Sequence, residues 1–258
     1  MSDGPVWVIL PTYQEAAGIA LIVEALRRVL RGASPEGFRI LVVDDASPDG
    51  TGVIADALAA SHPEVEVLHR ERKEGLGPAY RAGFARALAA GAGLVVEMDA
   101  DGSHDPEALP ALLAPARAGA DVVLGSRYVP GGAVRDWSLR RRAISRLACV
   151  GARVVLGCPV ADLTGGFKCF RAPALRAVRY HEVASKGYAF QIEVTYRALQ
   201  LGLEVLEVPI EFRDRRLGRS KMSTAIAWEA ALRVPALRLA SARAGRSCAP
   251  AAAAGRGA

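Results

Sequence analysis

The sequence predicts an α/β fold with a mostly parallel central sheet and helices on both faces, and three observations carry that prediction. Apolar runs of strand length alternate with helix-length amphipathic segments through the first half of the chain, the pattern of strand-helix-strand units. The 258 residues, 51% apolar and 23% charged, suffice for one sizeable core. Polar residues then collect just after the strands, where sheets of this kind bind ligands.

Taken in order, strands are predicted at Val6 to Leu10, Arg39 to Val43, Glu64 to His69, Gly93 to Met98 and Asp121 to Gly125. Between them, helices are predicted near Ile19 to Leu30, Thr51 to Ser61, Pro78 to Ala90 and Pro106 to Ala118. The second half changes character. Ser138 to Leu156 places Ile144, Leu147, Ala148, Gly151 and Val155 at helical spacing, with Arg142, Arg146 and Arg153 roughly opposite. "DLTGGFKCF" reads as a tight loop entering a strand, followed by a helix at Tyr188 to Leu201 and a strand at Val205 to Phe212. Beyond the strongly basic stretch Arg213 to Ser223, residues 224–242 read as a second amphipathic helix kinked at Pro235, and 243–258 as a disordered tail. Residues 1–242 are thus expected to form a single catalytic domain.

The net charge of +6 and a pI near 9.4 point to an anionic partner: nucleic acid, a phosphorylated small molecule or an acidic membrane surface. Nucleic acid is disfavoured, because stacking aromatics are scarce and no recognised binding module occurs. Cys149, Cys158, Cys169 and Cys248 lack CxxC spacing and read as reduced thiols. Neither a signal peptide nor a run of ~18 apolar residues is expected, so the chain is placed on one side of a membrane.

The chemistry concentrates at four strand ends: "PTYQE", "DDASPDGT", "DADGSH" and "SRY". Asp99 and Asp101, two apart on extended backbone, point to one side and suit a divalent cation, Mg²⁺ or Mn²⁺, whose remaining positions take water and phosphate oxygens. The bland alternative is an Asx turn with Ser103 or Asp105 capping a helix before Pro106. Asp44 and Asp45 face opposite sides, so one of them enters the crevice, where a carboxylate suits a ribose hydroxyl or base amine. No GxGxxG follows the first strand and no Walker A sequence occurs; Gly75 to Tyr80 is a weak phosphate signal. The basic residues Arg127, Arg141, Arg142, Arg215, Arg219 and Lys221 read as solvated surface or as contacts to an anionic lipid head group.

Six segments in register, "VILPTYQE", "LVVDDASPDGT", "EMDADGSHDPE", "GSRYVPGG", "DLTGGFK" and "GRSKMS", resemble the inverting family-2 glycosyltransferases of the GT-A fold. More narrowly they resemble polyprenyl (dolichyl) phosphate mannose synthases without appended membrane spans, over about Val6 to Ala242. The resemblance implies that Pro11, Tyr13, Glu15, Val43 and Asp45 surround the nucleotide. It places Asp99, Ala100 and Asp101 under the diphosphate and sugar, with Asp101 and Ser103 on the metal; Ser103 stands where many relatives have Gln. Arg127 and Arg141 match residues gripping the acceptor phosphate, with Ser145 beside them, and Arg215 and Lys221 a basic loop over the diphosphate. The helices at about 138–156 and 224–242 match helices lying on the membrane.

The implied reaction transfers mannose from GDP-mannose to a polyprenyl monophosphate with inversion, on the cytoplasmic face of the membrane. The chain would be held there peripherally, with a separate anchoring protein a further partner. The acceptor phosphate has a second pKa of ~6 and needs no strong general base. Asp99, Asp101, Arg127 and Arg141 therefore act by charge and position. The alternatives are a polyprenyl phosphate glucosyltransferase using UDP-glucose and a non-catalytic lipid- or nucleotide-binding subunit of the same fold.

Overall fold

The computed structural model describes residues 4–185, 187–214 and 233–241. Strand β1 (Val6–Thr12) is flanked by β2 (Phe38–Asp44) and β4 (Leu94–Glu97), both parallel to it, and β3 (Val65–His69) pairs with β2. The remaining strands are β5 (Val122–Ser126), β7 (Lys168–Arg171) and β8 (Val205–Pro209), and the sheet order is β3-β2-β1-β4-β7-β5-β8. Only β7 runs antiparallel, wedged between β4 and β5. The chain leaves β1 toward β2 and β3 and then returns to β4 on the other side, so β1 and β4 flank the reversal point where such sheets open a crevice.

Alternation along β1 divides the core. Val6, Val8 and Leu10 face helices α1 (Ile19–Ala33), α2 (Thr51–Ser61) and α4 (Leu109–Ala118), packing with Val23, Leu26 and Leu112. Trp7 and Ile9 face α3 (Leu76–Ala89) and α7 (Gly187–Gln200), packing with Tyr80, Phe84 and Phe190. The predicted helix at 106–118 is a 3₁₀ turn, Pro106–Ala108, followed by α4; Asp105 caps the turn by accepting from the Glu107 N–H at 3.0 Å. The single strand predicted at Val205 to Phe212 is two. Ile210 still donates to the Ser126 carbonyl at 3.0 Å, but Pro209 has no N–H to continue the ladder. The chain then leaves the sheet, and β9 (Glu211–Phe212) pairs with an unforeseen β6 (Ala133–Val134).

Helix α5 (Leu139–Leu156) forms where predicted and is capped by Ser138, whose hydroxyl accepts from the Arg141 N–H. Cys149, Ala152 and Leu156 are buried, while Ile144, Leu147, Val150, Val154 and Val155 stand exposed on the outer face. A short helix, α6 (Ala172–Ala177), follows β7. Of the second amphipathic segment, 233–241 is described and helical; the rest, like the tail, lies outside the described residues. No described helix is long and apolar enough to cross a membrane.

Candidate active site

A cleft opens beyond the ends of β4 and β5. Asp99, Asp101, Ser103 and His104 form an acidic rim of its lining and Arg127, Trp137 and Arg141 a basic one; Phe212, bridged to His104, joins them, and Thr164, Gly165 and Gly166 complete the wall. The acidic rim is a single turn. Met98 still donates to the Ile9 carbonyl at 3.2 Å, Gly102 takes φ +74°, and the Ser103 N–H returns to Asp101 Oδ1 at 3.0 Å. Ala100 is buried while Asp99 and Asp101 both line the cleft; residues 100–101 form a turn, not the extended backbone expected from the sequence. The capping reading of "DADGSH" is met by Asp105, and that cap leaves Asp99 and Asp101 on the lining of the cleft.

Asp99 is set further by Tyr80, whose hydroxyl donates to its Oδ1 at 3.2 Å, and by its own N–H, which donates to His104 Nδ1 at 3.2 Å. An accepting Nδ1 requires a neutral ring whose one proton is on Nε2. Burial pushes His104 down to about 4, with Arg127 assisting and Asp101 opposing, so the ring is neutral at pH 7. It stacks on Phe167 with centroids 5.1 Å apart.

The basic rim departs from expectation. The Arg127 fork, expected to grip an acceptor phosphate bidentately, is closed on Asp162: Nε and Nη2 each donate at 2.7 Å, and Nη2 also reaches Thr164 Oγ1 at 2.7 Å. Asp162 is fully buried and its own N–H is held by Glu207 of β8 at 3.0 Å. Burial alone would raise its carboxyl, but the hydrogen bonds and charge of Arg127 hold it below the usual carboxylate range. Arg127 therefore offers the cleft its remaining edge rather than a fork. Arg141 is half-buried, lies 4.0 Å from the Trp137 ring centroid and pairs through Nη1 with Asp214 at 2.8 Å. Ser145 lies one step back, its Oγ accepting from the Tyr128 hydroxyl at 2.7 Å.

The residues expected around the nucleotide gather at the ends of β1 and β2, apart from the lining of this cleft. Pro11 and Val43 are register partners, Tyr13 carries Lys73 Nζ 3.8 Å over its ring, and the Glu15 N–H donates to Thr51 Oγ1 at 3.0 Å. Asp45 is occupied by the chain itself: it accepts from Arg70, from the Glu74 N–H at 3.2 Å and from the Gly75 N–H at 2.7 Å, pinning the loop before α3. Asp44 accepts from the Ser47 N–H at 3.4 Å and sits 3.6 Å from His69. Arg215, Arg219 and Lys221 lie outside the described residues.

Among the described residues no cluster of three His, Cys, Asp or Glu side chains could cage a metal. Two carboxylates and a hydroxyl on one turn, open to a cleft, instead fit a cation that fills most of its shell with water and phosphate oxygens.

Sequence reading overlooked the layer beneath the acidic rim. Glu97, fully buried on β4, lies 3.8 Å from Lys168 Nζ on β7, and Lys168 donates to Gln191 through the backbone carbonyl at 2.9 Å and through Oε1. Burial pushes Glu97 up to about 7 and Lys168 down to about 8, each opposed by the other's charge. Asp162, Trp137 and Phe212 were missed as well; "DLTGGFK" was visible as a motif, but nothing local says that its Asp meets Arg127.

A family model described as Glycosyl transferase family 2 matches residues 7–179. The chain belongs to glycosyl transferase family 2. It is 49% identical over 89% of its length to an undecaprenyl-phosphate mannosyltransferase of Micrococcus luteus, covering 92% of that protein. To a polyprenol monophosphomannose synthase of Mycolicibacterium smegmatis it is 49% identical over 88% of its length, covering 84% of that protein. The resemblance read from the six segments is thus borne out, and this family-2 chain is a glycosyltransferase. Among solved structures, glucosyl-3-phosphoglycerate synthase from Mycobacterium tuberculosis, in complex with Mn²⁺, UDP-glucose and phosphoglyceric acid, superposes with TM-score 0.68. The match covers 97% of this chain and 88% of that one at 19% identity, which establishes the common GT-A fold and no more.

Proposed function

We propose that this glycosyltransferase moves mannose from GDP-mannose to a polyprenyl monophosphate, releasing GDP, at the cytoplasmic surface of a membrane. The observation that carries the reading is that Asp99, Asp101, Arg127 and Arg141 line one cleft together. Asp101 and Ser103 would hold a divalent cation, Mg²⁺ or Mn²⁺, which when bound neutralises charge on the leaving diphosphate. Asp99, fixed by Tyr80 and by the His104 bond to its backbone, orients the sugar. The acceptor phosphate meets Arg141 and the first turn of α5. Three consecutive arginines there, Arg140 to Arg142, oppose the helix dipole, and a bound phosphate dianion relieves that conflict. The exposed apolar face of α5 lies against the lipid surface and keeps the polyprenyl chain out of water.

The test is a lipid-extractable transfer assay with polyprenyl phosphate, offering GDP-mannose and UDP-glucose separately, with and without chelator. Product from GDP-mannose alone, abolished by chelator and restored by Mg²⁺ or Mn²⁺, is expected. Transfer from UDP-glucose in preference would overturn the donor, and chelator-insensitive transfer would overturn the cation.

A further inference from the structure

Gln191 presents a problem of hydrogen-bond accounting. It is 1% exposed on α7, and its Oε1 accepts from the Lys168 ammonium. An ammonium only donates, so the amide cannot be turned the other way round: oxygen faces Lys168 and Nε2 faces elsewhere. Among the described residues Nε2 is buried without a hydrogen-bond partner. Leaving such a donor unmet costs stability, so it needs a reason.

Gly166 supplies the surroundings for that reason. A methyl group placed on it would stand 3.5 Å from Asp99 Oδ1, 3.5 Å from Asp99 Oδ2 and 3.5 Å from Gln191 Nε2. Gly166 is not among the residues of positive φ, so its backbone does not demand glycine; what the glycine leaves is space. Because Gly166 also lines the cleft, that space opens where a ligand enters. Its walls are a carboxylate that accepts and an amide that donates. Glu97 also draws on the Gln191 amide, which lowers its carboxyl somewhat, without reaching hydrogen-bond geometry. Two N–H groups leave one for the slot.

We propose that Gln191 and Asp99 form a slot over Gly166 that reads one hydroxyl of the transferred sugar, which makes Gln191 a specificity-determining residue for the reaction. The inference rests on the cleft being a sugar-nucleotide site. The hydroxyl donates to Asp99 and accepts from Gln191, and Lys168 is a positioning residue that sets which end of the amide faces it. A sugar whose hydroxyl points away from the slot leaves the Gln191 donor unmet, and discrimination between epimers follows from that penalty.

Two variants test this. Gly166→Ala fills the slot at ordinary contact distance from Asp99 and Gln191 and removes neither polar group; Gln191→Met removes the donor at similar volume. Both are assayed for transfer with GDP-mannose, for GDP affinity by calorimetry and for Tm. Gly166→Ala is expected to keep the wild-type Tm and GDP affinity while kcat/KM for GDP-mannose falls about tenfold or more. A series of deoxy-mannose donors then identifies the hydroxyl: one of them loses activity with the wild type, and its penalty is smaller in Gln191→Met, where only the Asp99 contact is left to lose. Unchanged kcat/KM in Gly166→Ala, an equal loss of GDP affinity, or a deoxy penalty undiminished in Gln191→Met for every donor would each overturn the slot, the last meaning that it holds only water. Should Gln191→Met fold poorly, Gly166→Ala alone decides. A wild-type enzyme that uses no sugar nucleotide defeats the parent reading instead, whereas normal wild-type turnover with indifferent variants defeats only this one.

Discussion

On the acidic rim of the cleft, Asp99, Asp101 and Ser103 belong to one turn and are braced largely by that turn and the strand before it. On the basic rim, Arg127 depends on Asp162 and Arg141 on Asp214, partners 35 and 73 residues away. The acidic carboxylates project into the cleft, while the Arg127 guanidinium is already matched by a buried acid. The contrast separates two uses of charge: one rim presents it to a ligand, and the other spends most of it holding β5 to the loop before β7. The two arginines differ in the same way. Arg127 is 7% exposed and immobilised, whereas Arg141 rests on an aromatic face with a part-exposed partner and retains freedom to change partners.

The largest effect expected is structural and falls on the basic rim. Asp162→Ala strands the Arg127 charge in the interior and should cost about 3–5 kcal/mol in urea unfolding. A loss under about 1 kcal/mol, as for surface pairs, would falsify the claim that this pair is structural. On the acidic rim, Asp101→Asn should leave the unfolding midpoint near wild type and reduce transfer on the order of 100-fold or more. Wild-type turnover in that variant would erase the functional difference between the rims.

His104 gives a pH-dependent measure. Its folded pKa of about 4 lies below the ordinary 6.5, so the unfolded chain takes up the proton first and stability falls as pH drops from 6.5 toward 4. By pH 5 about 2 kcal/mol should be lost, and His104→Gln, which keeps an acceptor for the Asp99 N–H, should flatten that slope. Equal slopes in both proteins would show that the ring is not held neutral. Arg141→Ala should raise KM for the polyprenyl phosphate about tenfold and leave KM for the donor alone. The smallest change belongs to Asp214→Ala, expected to cost less than about 1 kcal/mol. A defect in Arg141→Ala confined to the donor would move that residue to the other substrate.

Much of the fold was legible in the chain. Strands β1, β2 and β5 and helices α1, α2, α5 and α7 fall within a few residues of their predicted bounds, because apolar periodicity and caps such as Ser138 are local signals. The failures share a cause. That β7 would enter antiparallel between β4 and β5, and that β9 would leave the sheet for β6, depends on pairing between distant segments. Within the site, the acidic turn was readable for the same reason as the strands. Asp45 was not: its place at a strand end suggested a ligand contact, yet the loop at 70–75 folds back onto it.

By itself the sequence determined the alternation of strands and helices, the acidic turn after β4 and the basic first turn of α5, since each arises from residues a few positions apart. The sheet order, the locking of Arg127 by Asp162, and the Lys168 contact that turns the Gln191 amide were decided only by the tertiary structure. Those features bring together groups far apart in the chain, and the cost of burying a charge or an unmet amide takes effect only once the chain has closed around it.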